Sequence, residues 1–290
     1  MLPIFVAVKI VAIALIQQNL TFFNKPQFPA MQIEFSKYQG AGNDFILIDD
    51  RLGRVSPEVE LFNRLCNRRF GIGADGIMLV RAHSDFDFEM LYFNADGREG
   101  SMCGNGGRCI ATFARDLGIT GAESYFLAAD GPHHARISEN GVSLRMKDVT
   151  RLEIAASGDY ILDTGSPHYV TLTDNLGDLD VVAEGRAVRY SARFREEGIN
   201  VNFTQPFADR YAVRTYERGV EDETYACGTG VTAVALAMAV KDNLYGEQSV
   251  SLQAKGGMLG VSYNRTGEQS FSEIYLSGPA EFVFKGKILI

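Results

Sequence analysis

The chain has 290 residues, 46% of them apolar and 22% charged, with a net charge of −8 at pH 7. That length accommodates one large or two medium domains with buried cores. The acidic balance and the absence of a lysine/arginine cluster argue against nucleic acid or an anionic membrane as a partner. Residues 1–30 read differently from the rest: the first sixteen are apolar apart from Lys9, and no Asp or Glu precedes Glu34. Sixteen is short of the roughly 20 residues that span a bilayer, and no small-x-small cleavage site stands out near Ala30. The segment reads as an extension outside the fold, upstream of a natural start at Met31. An export signal or anchor is the alternative.

From Met31 onward, alternating apolar runs predict strands at Gln32–Tyr38, Phe45–Asp49 and Phe86–Phe93. Between them, Ser56 and Pro57 supply a cap and a first-turn residue for a helix over Glu58–Asn67. Asn105–Leu117 places Ile110, Phe113, Ala114 and Leu117 on one helical face. Strands follow at Val142–Met146, Tyr169–Leu172, Ile199–Phe203 and Tyr211–Tyr216. Thr229–Val240 is apolar almost all round, which predicts a helix buried in the middle of a domain.

Two short segments match, Cys103-Gly104-Asn105-Gly106 and Cys227-Gly228-Thr229-Gly230, 124 residues apart. Other features recur at near-constant offset. Gly40-x-x-Asn43 returns in outline as Gly165-x-x-His168, and Gly71-Ile72 as Gly198-Ile199. Phe93-Asn94 precedes the first cysteine much as Tyr216-Glu217 precedes the second. Each half then reads as strands around one central helix carrying a thiol at its N-terminus. The boundary falls between Asp148 and Tyr160. This gives an N-terminal half over 31–150, a C-terminal half over 151–280, and a last strand over 281–290 returning to the first half.

A thiol at a helix N-terminus can ionise near neutral pH, because backbone N–H groups and the helix dipole favour the thiolate. Two such thiols could act as a base and an acid on one substrate. Converging Gly-x-Gly turns expose N–H groups that can hold a carboxylate. Glu217-Arg218 places opposite charges beside the second thiol, suited to an ammonium and a carboxylate, while His168 could orient a thiol. Cys66 and Cys109 read as small buried hydrophobes. Four cysteines in 290 residues do not make a disulfide framework, which implies a reducing compartment. No cysteine or histidine spacing suits a metal, and no motif for pyridoxal phosphate or a dinucleotide is present. The expectation is therefore a pair of thiols working without metal or organic cofactor.

Together these residues resemble the diaminopimelate epimerase family, from about Met31 to Ile290. The resemblance is carried by Gly40-Ala41-Gly42-Asn43-Asp44-Phe45, Phe93-Asn94-Ala95-Asp96-Gly97 with Cys103–Gly106, and Tyr216-Glu217-Arg218-Gly219 with Ala226–Gly230. It implies an α/β (α+β) fold of two pseudo-symmetric domains, each a curved sheet wrapped around a central helix, with the site in the cleft between them. It further implies a homodimer that interconverts LL- and meso-diaminopimelate, and the reducing compartment inferred from the cysteines places it in the cytoplasm. Cys103 and Cys227 would be the acid/base thiols. Gly104, Asn105, Gly228 and Thr229 would hold the reacting carboxylate, and Glu217 its ammonium. Asn43, Asn94, Asn200 and Arg218 would bind the distal end, and His168 and Glu217 would tune the thiols. Two positions depart from the family pattern, Ser166 where Asn is common and Gly76 where Gln is common; both would face the distal end. Two other readings stay open: a proline or hydroxyproline racemase or epimerase of the same fold, and a dithiol redox protein.

Overall fold

The computed structural model describes residues 31–100 and 102–290, so the expectations for residues 1–30 lie outside the described residues. Residues 34–286 belong to one compact unit; residues 31–33 and 287–290 belong to another, where Met31 and Ile290 exchange both backbone hydrogen bonds. The chain opens with β1 (Gln32–Gly40) and β2 (Asn43–Asp49), an antiparallel hairpin. Its two-residue turn has Ala41 and Gly42 both at positive φ (52° and 89°), the primed geometry that matches strand twist. Helix α1 (Val59–Cys66) leads to β3 (Gly76–Arg81), which pairs parallel to β2 and antiparallel to β4 (Phe88–Asn94). Helix α2 (Gly104–Asp116) then crosses to β5 (Glu123–Ala128), parallel to β4, and the hairpins β6 (Gly131–Ser138) and β7 (Gly141–Arg145) complete the first half.

The second half repeats that sequence of pairings. After β8 (Leu152–Ile154), β9 (Tyr160–Asp163) is antiparallel to β10 (Pro167–Leu172). Helix α3 (Val181–Arg189) precedes β11 (Asn200–Pro206), parallel to β10 and antiparallel to β12 (Tyr211–Glu217). A short β13 (Asp222–Thr224) is followed by α4 (Gly228–Lys241). Then β14 (Gly246–Ala254) runs parallel to β12, and β15 (Gly257–Arg265) and β16 (Phe271–Gly278) add antiparallel. Strands β7 and β16, equivalent in the two halves, pair antiparallel with each other, Leu144 opposite Leu276. A last strand, β17 (Glu281–Leu289), brings Phe282 against Tyr38 and Phe284 against Phe35.

Each helix is encased for a reason visible in its composition. All of α4 from Gly230 to Ala239 is buried, and its Val231, Val234, Leu236 and Met238 pack under the second set of strands. α2 buries Gly104 to Ala114, with Ile110 and Phe113 against Phe45, Met78 and Phe126. Such side chains stabilise by roughly 1.5–3 kcal/mol each when removed from water. Two predicted details differ. α1 begins at Val59 with Glu58 as its N-cap and no side-chain cap, so Ser56 and Pro57 lie ahead of it. The equivalence of Asn43 and His168 is shifted by two residues. Phe45 lies opposite Gly76, and His168 lies opposite Asn200 in the matching pair, so His168 corresponds to Phe45 and Ser166 to Asn43.

Candidate active site

Cys103 and Cys227 are the N-cap residues of α2 and α4, both in extended backbone conformation. The two helix starts abut. A Cβ added to Gly104 would lie 3.7 Å from the Cα of Gly228, and one added to Gly228 would lie 2.7 Å from Leu276 Cδ2. A side chain at either glycine would crowd the Leu276 methyl group that wedges against both helix starts. Both cysteines line one cavity of about 780 Å³, together with Gly104, Asn105, Gly228 and Thr229 from the helix starts.

The other walls come from the strand ends. Asn43, Asn94, Ser166, Asn200, Glu217 and Arg218 all line the cavity. Asn43 donates to Asp75 Oδ2 (3.1 Å) and accepts from the Asn105 amide. The Asn105 amide also donates to the carbonyl of Ala226 (2.9 Å), tying the α2 start to the segment before Cys227. Its oxygen accepts from Arg108 Nη2 (2.8 Å), a fully buried guanidinium whose other bonds go to the Gly104 and Pro279 carbonyls. Asn200 accepts from the Arg218 backbone N–H (2.9 Å), and the Arg218 guanidinium is held by the Glu197 carbonyl (2.8 Å).

Two expected residues lie behind the wall rather than in it. Gly76 is buried, and a Cβ there would lie 2.5 Å from the Tyr92 ring. Tyr92 lines the cavity in its place, so the space a longer side chain at position 76 would need is filled by that ring. His168 is fully buried behind Ser166, which its Nε2 meets at 3.0 Å. Asn202, also fully buried, backs His168 at 3.1 Å. Nothing local in the sequence marks Tyr92 or Asn202; both emerge only from strand register.

The electrostatics reverse one expectation. Burial pushes both thiols up, Cys227 to about 12, and the nearby Glu217 carboxylate adds to the rise. Backbone N–H groups of Gly106 and Asn105 at Cys103, and of Gly230 at Cys227, act the other way, as a helix start should, but burial outweighs them. Both residues are therefore thiols near neutral pH. Burial also raises Glu217, which forms no ion pair among the described residues. Burial, reinforced by Arg218, pulls His168 down to about 3, leaving it neutral. Cys66 and Cys109 are buried away from the cavity, and burial pushes each to about 12. Among the described residues no side-chain cluster could hold a metal ion, and no helix is long and apolar enough to cross a membrane.

A profile of the family described as diaminopimelate epimerase matches residues 35–151 and 160–283. The diaminopimelate epimerase of Flavobacterium psychrophilum is 48% identical over 257 residues, covering 87% of this chain and 98% of that protein. That of Chlorobaculum tepidum is 42% identical over 260 residues, covering 87% and 99%. Among solved structures, a Bacillus anthracis phenazine biosynthesis protein of the PhzF family superposes with a TM-score of 0.71 at 16% identity, over 90% of this chain and all of that one. A hydroxyproline epimerase from Agrobacterium vitis superposes at 0.65 with 14% identity, over 89% and 93%. These distant structures share the fold. With nearly the whole described chain matched by the family profile and by relatives at 42–48% identity, the chain belongs to the diaminopimelate epimerase family.

Proposed function

We propose that the chain interconverts LL- and meso-diaminopimelate by a two-base proton transfer in which Cys103 and Cys227 face opposite sides of the substrate α-carbon. The observation that carries this reading is the pair of cysteine N-caps on abutting helices, both lining one cavity. One sulfur, as thiolate, removes the α-proton; the other, as thiol, gives its own proton to the opposite face. No electrons change hands, and reversal simply exchanges the two roles. The carbanionic intermediate is stabilised through its carboxylate, held by backbone N–H groups at the two helix starts. Glu217 receives the α-ammonium. That ion pair cancels the negative charge that raises both thiols, so substrate binding itself favours the thiolate.

Asn43, Asn94, Asn200 and Arg218 surround the remainder of the cavity. A second amino-acid end presents an ammonium and a carboxylate that this polar wall can meet, whereas a small cyclic imino acid has no such end. The working protein is a cytoplasmic homodimer. The exposed Phe282, Val283 and Phe284 on β17 support such self-association, because a contiguous exposed apolar strand favours a partner. Incubation of the reduced protein with LL-diaminopimelate in deuterated water tests the reaction: the meso isomer should form with deuterium at the α-carbon. Cys103→Ser and Cys227→Ser should each lose at least about 10²-fold in turnover. Near-full activity in either variant would falsify the two-base scheme.

A further inference from the structure

We propose that Ser166 is a positioning residue: it transmits the fixed tautomer of His168 to the Thr229 hydroxyl, aiming that hydroxyl's proton at the Cys227 sulfur. The inference rests on the epimerase reading for its purpose, but its geometry stands apart from turnover. It starts from two anchored amides. Asn202 Nδ2 lies 3.0 Å from the Tyr169 carbonyl, which can only accept, and its Oδ1 accepts from the Thr215 hydroxyl at 2.9 Å. The amide is therefore oriented with its N–H groups toward His168 Nδ1 at 3.1 Å. Nδ1 accepts, and the single ring proton of the neutral imidazole sits on Nε2.

That proton is donated to Ser166 Oγ at 3.0 Å. Asn200 is anchored in the same way: its Oδ1 accepts from the Arg218 N–H, and its Nδ2 donates to the Pro167 carbonyl and to Ser166 Oγ, both at 3.1 Å. The serine oxygen thus accepts twice and has no lone pair left. Its own proton goes to Thr229 Oγ1 at 3.2 Å, and the threonine proton is left for Cys227 Sγ at 3.4 Å. Each hydroxyl has one direction open to it.

The first half of the molecule provides an internal control. By register, Phe45 and Met78 stand where His168 and Asn202 stand in the second half. The same backbone is thus built with apolar side chains at these two places: Asn43 and Asn105 stand where Ser166 and Thr229 stand and bond to each other, but among the described residues no buried imidazole and amide back them. The polar chain is a feature of one thiol and not a requirement of the fold. Other groups facing Cys227 are Glu217 and Cys103, which disfavour its thiolate, and the Gly230 N–H, which favours it; Arg218 faces His168.

The test reads the sulfur directly. In a Cys103→Ser background, the rate at which iodoacetamide alkylates Cys227 at pH 8.5 is followed by peptide mass spectrometry, which separates it from the buried Cys66 and Cys109. Losing a hydrogen bond to the thiolate lowers its population about tenfold, so Thr229→Val should slow alkylation about tenfold, and Ser166→Ala, which frees the Thr229 proton to turn away from the sulfur, should slow it several-fold. Thr229→Ser should restore the native rate. The His168 ring, followed by ¹⁵N NMR, should be the Nε2–H tautomer between pH 5 and 8. Unchanged alkylation in Ser166→Ala and Thr229→Val, or an Nδ1–H tautomer, overturns the proposal. Should Ser166→Ala fail to fold, the Thr229→Val and Thr229→Ser pair decides alone. A native protein that forms no deuterated meso isomer would defeat the epimerase reading while leaving these alkylation rates readable.

Discussion

Glu217 is a half-buried carboxylate whose charge reaches both thiols, and this makes its removal diagnostic. A negative charge disfavours a neighbouring thiolate, so Glu217→Gln lowers both thiols and should speed their alkylation several-fold at pH 8.5. The same change removes the counter-charge for an α-ammonium and should raise KM by tenfold or more. Faster thiols with weaker binding is an outcome that general loss of structure would not produce. His168 gives a second charge-based expectation. Its folded value of about 3 lies below the ordinary 6.5, so the unfolded chain takes up a proton that the folded chain refuses. Stability from this group is intact above pH 6.5 and falls by about 1.4 kcal/mol per pH unit as pH drops toward 3. Urea midpoints across pH 4–7 should show that slope, and His168→Gln should flatten it. The residues differ in how far the sequence revealed them. Cys103 and Cys227 stood out because a thiol beside Gly-x-Gly is a local pattern, read within four residues. Tyr92 and Asn202 did not, since each is an ordinary strand residue whose role depends on what the register sets beside it. Tyr92→Phe keeps the ring that fills the space at Gly76 and removes only the hydroxyl. It should leave thermal stability nearly unchanged while altering KM.

The two catalytic helices carry equivalent glycines with unequal tolerance. A Cβ on Gly106 would meet the Met78 methyl group at 2.1 Å, the far end of a flexible side chain that can swing aside. A Cβ on Gly230 would meet Asn202 Oδ1 at 2.3 Å, and that amide is pinned by Thr215, Tyr169 and His168. Gly106→Ala should therefore retain most activity, whereas Gly230→Ala should lose at least tenfold in kcat; equal losses in the two would contradict this difference. Helices were legible where composition and packing agree. α4 is apolar all round because strands cover every side of it. α3 was missed although Asp180 caps it through the Ala183 N–H (3.0 Å). Gly185 sits in its middle and weakens the helical pattern. The structure supplies the reason: a Cβ there would lie 2.4 Å from Tyr216 Cβ, so the helix gives up propensity for close approach to β12. The strands β14 to β16 were equally hard to see. β14, Gly-Glu-Gln-Ser-Val-Ser-Leu-Gln-Ala, is poor in β-branched and aromatic residues. Its stability comes from nine consecutive register positions against β15, a partner the local sequence does not announce.

Across the whole molecule, the repeat seen at offsets of 124 to 127 residues becomes a repeated order of strand pairings. The halves meet where like pairs with like, β7 against β16, and where α2 and α4 start side by side. That arrangement delivers one thiol from each half to a single cavity. On the proposed two-base scheme the thiols must be equivalent, each able to be base or acid, while a substrate with two ends calls for unequal walls. Asn94 ends β4 where Glu217 ends β12, and Phe45 and Met78 hold the positions that His168 and Asn202 hold in the second half. Leu276 is the side chain through which this layout can be tested as a unit. It is fully buried on β16, opposite Leu144 in the seam, and its Cδ2 lies against both helix starts. Leu276→Ala opens a void beneath Gly104 and Gly228 together. Truncating a buried leucine costs about 2–5 kcal/mol, so the urea midpoint should fall accordingly with an unchanged slope. A wedge shared by both helix starts has a further consequence, since loosening it frees both thiols at once. Alkylation of Cys103 and Cys227 should change in parallel and kcat should drop by more than tenfold, because near-attack geometry tolerates little displacement. A variant that lost the stability but kept native kcat, or shifted only one thiol, would show that each half holds its own helix start without the seam.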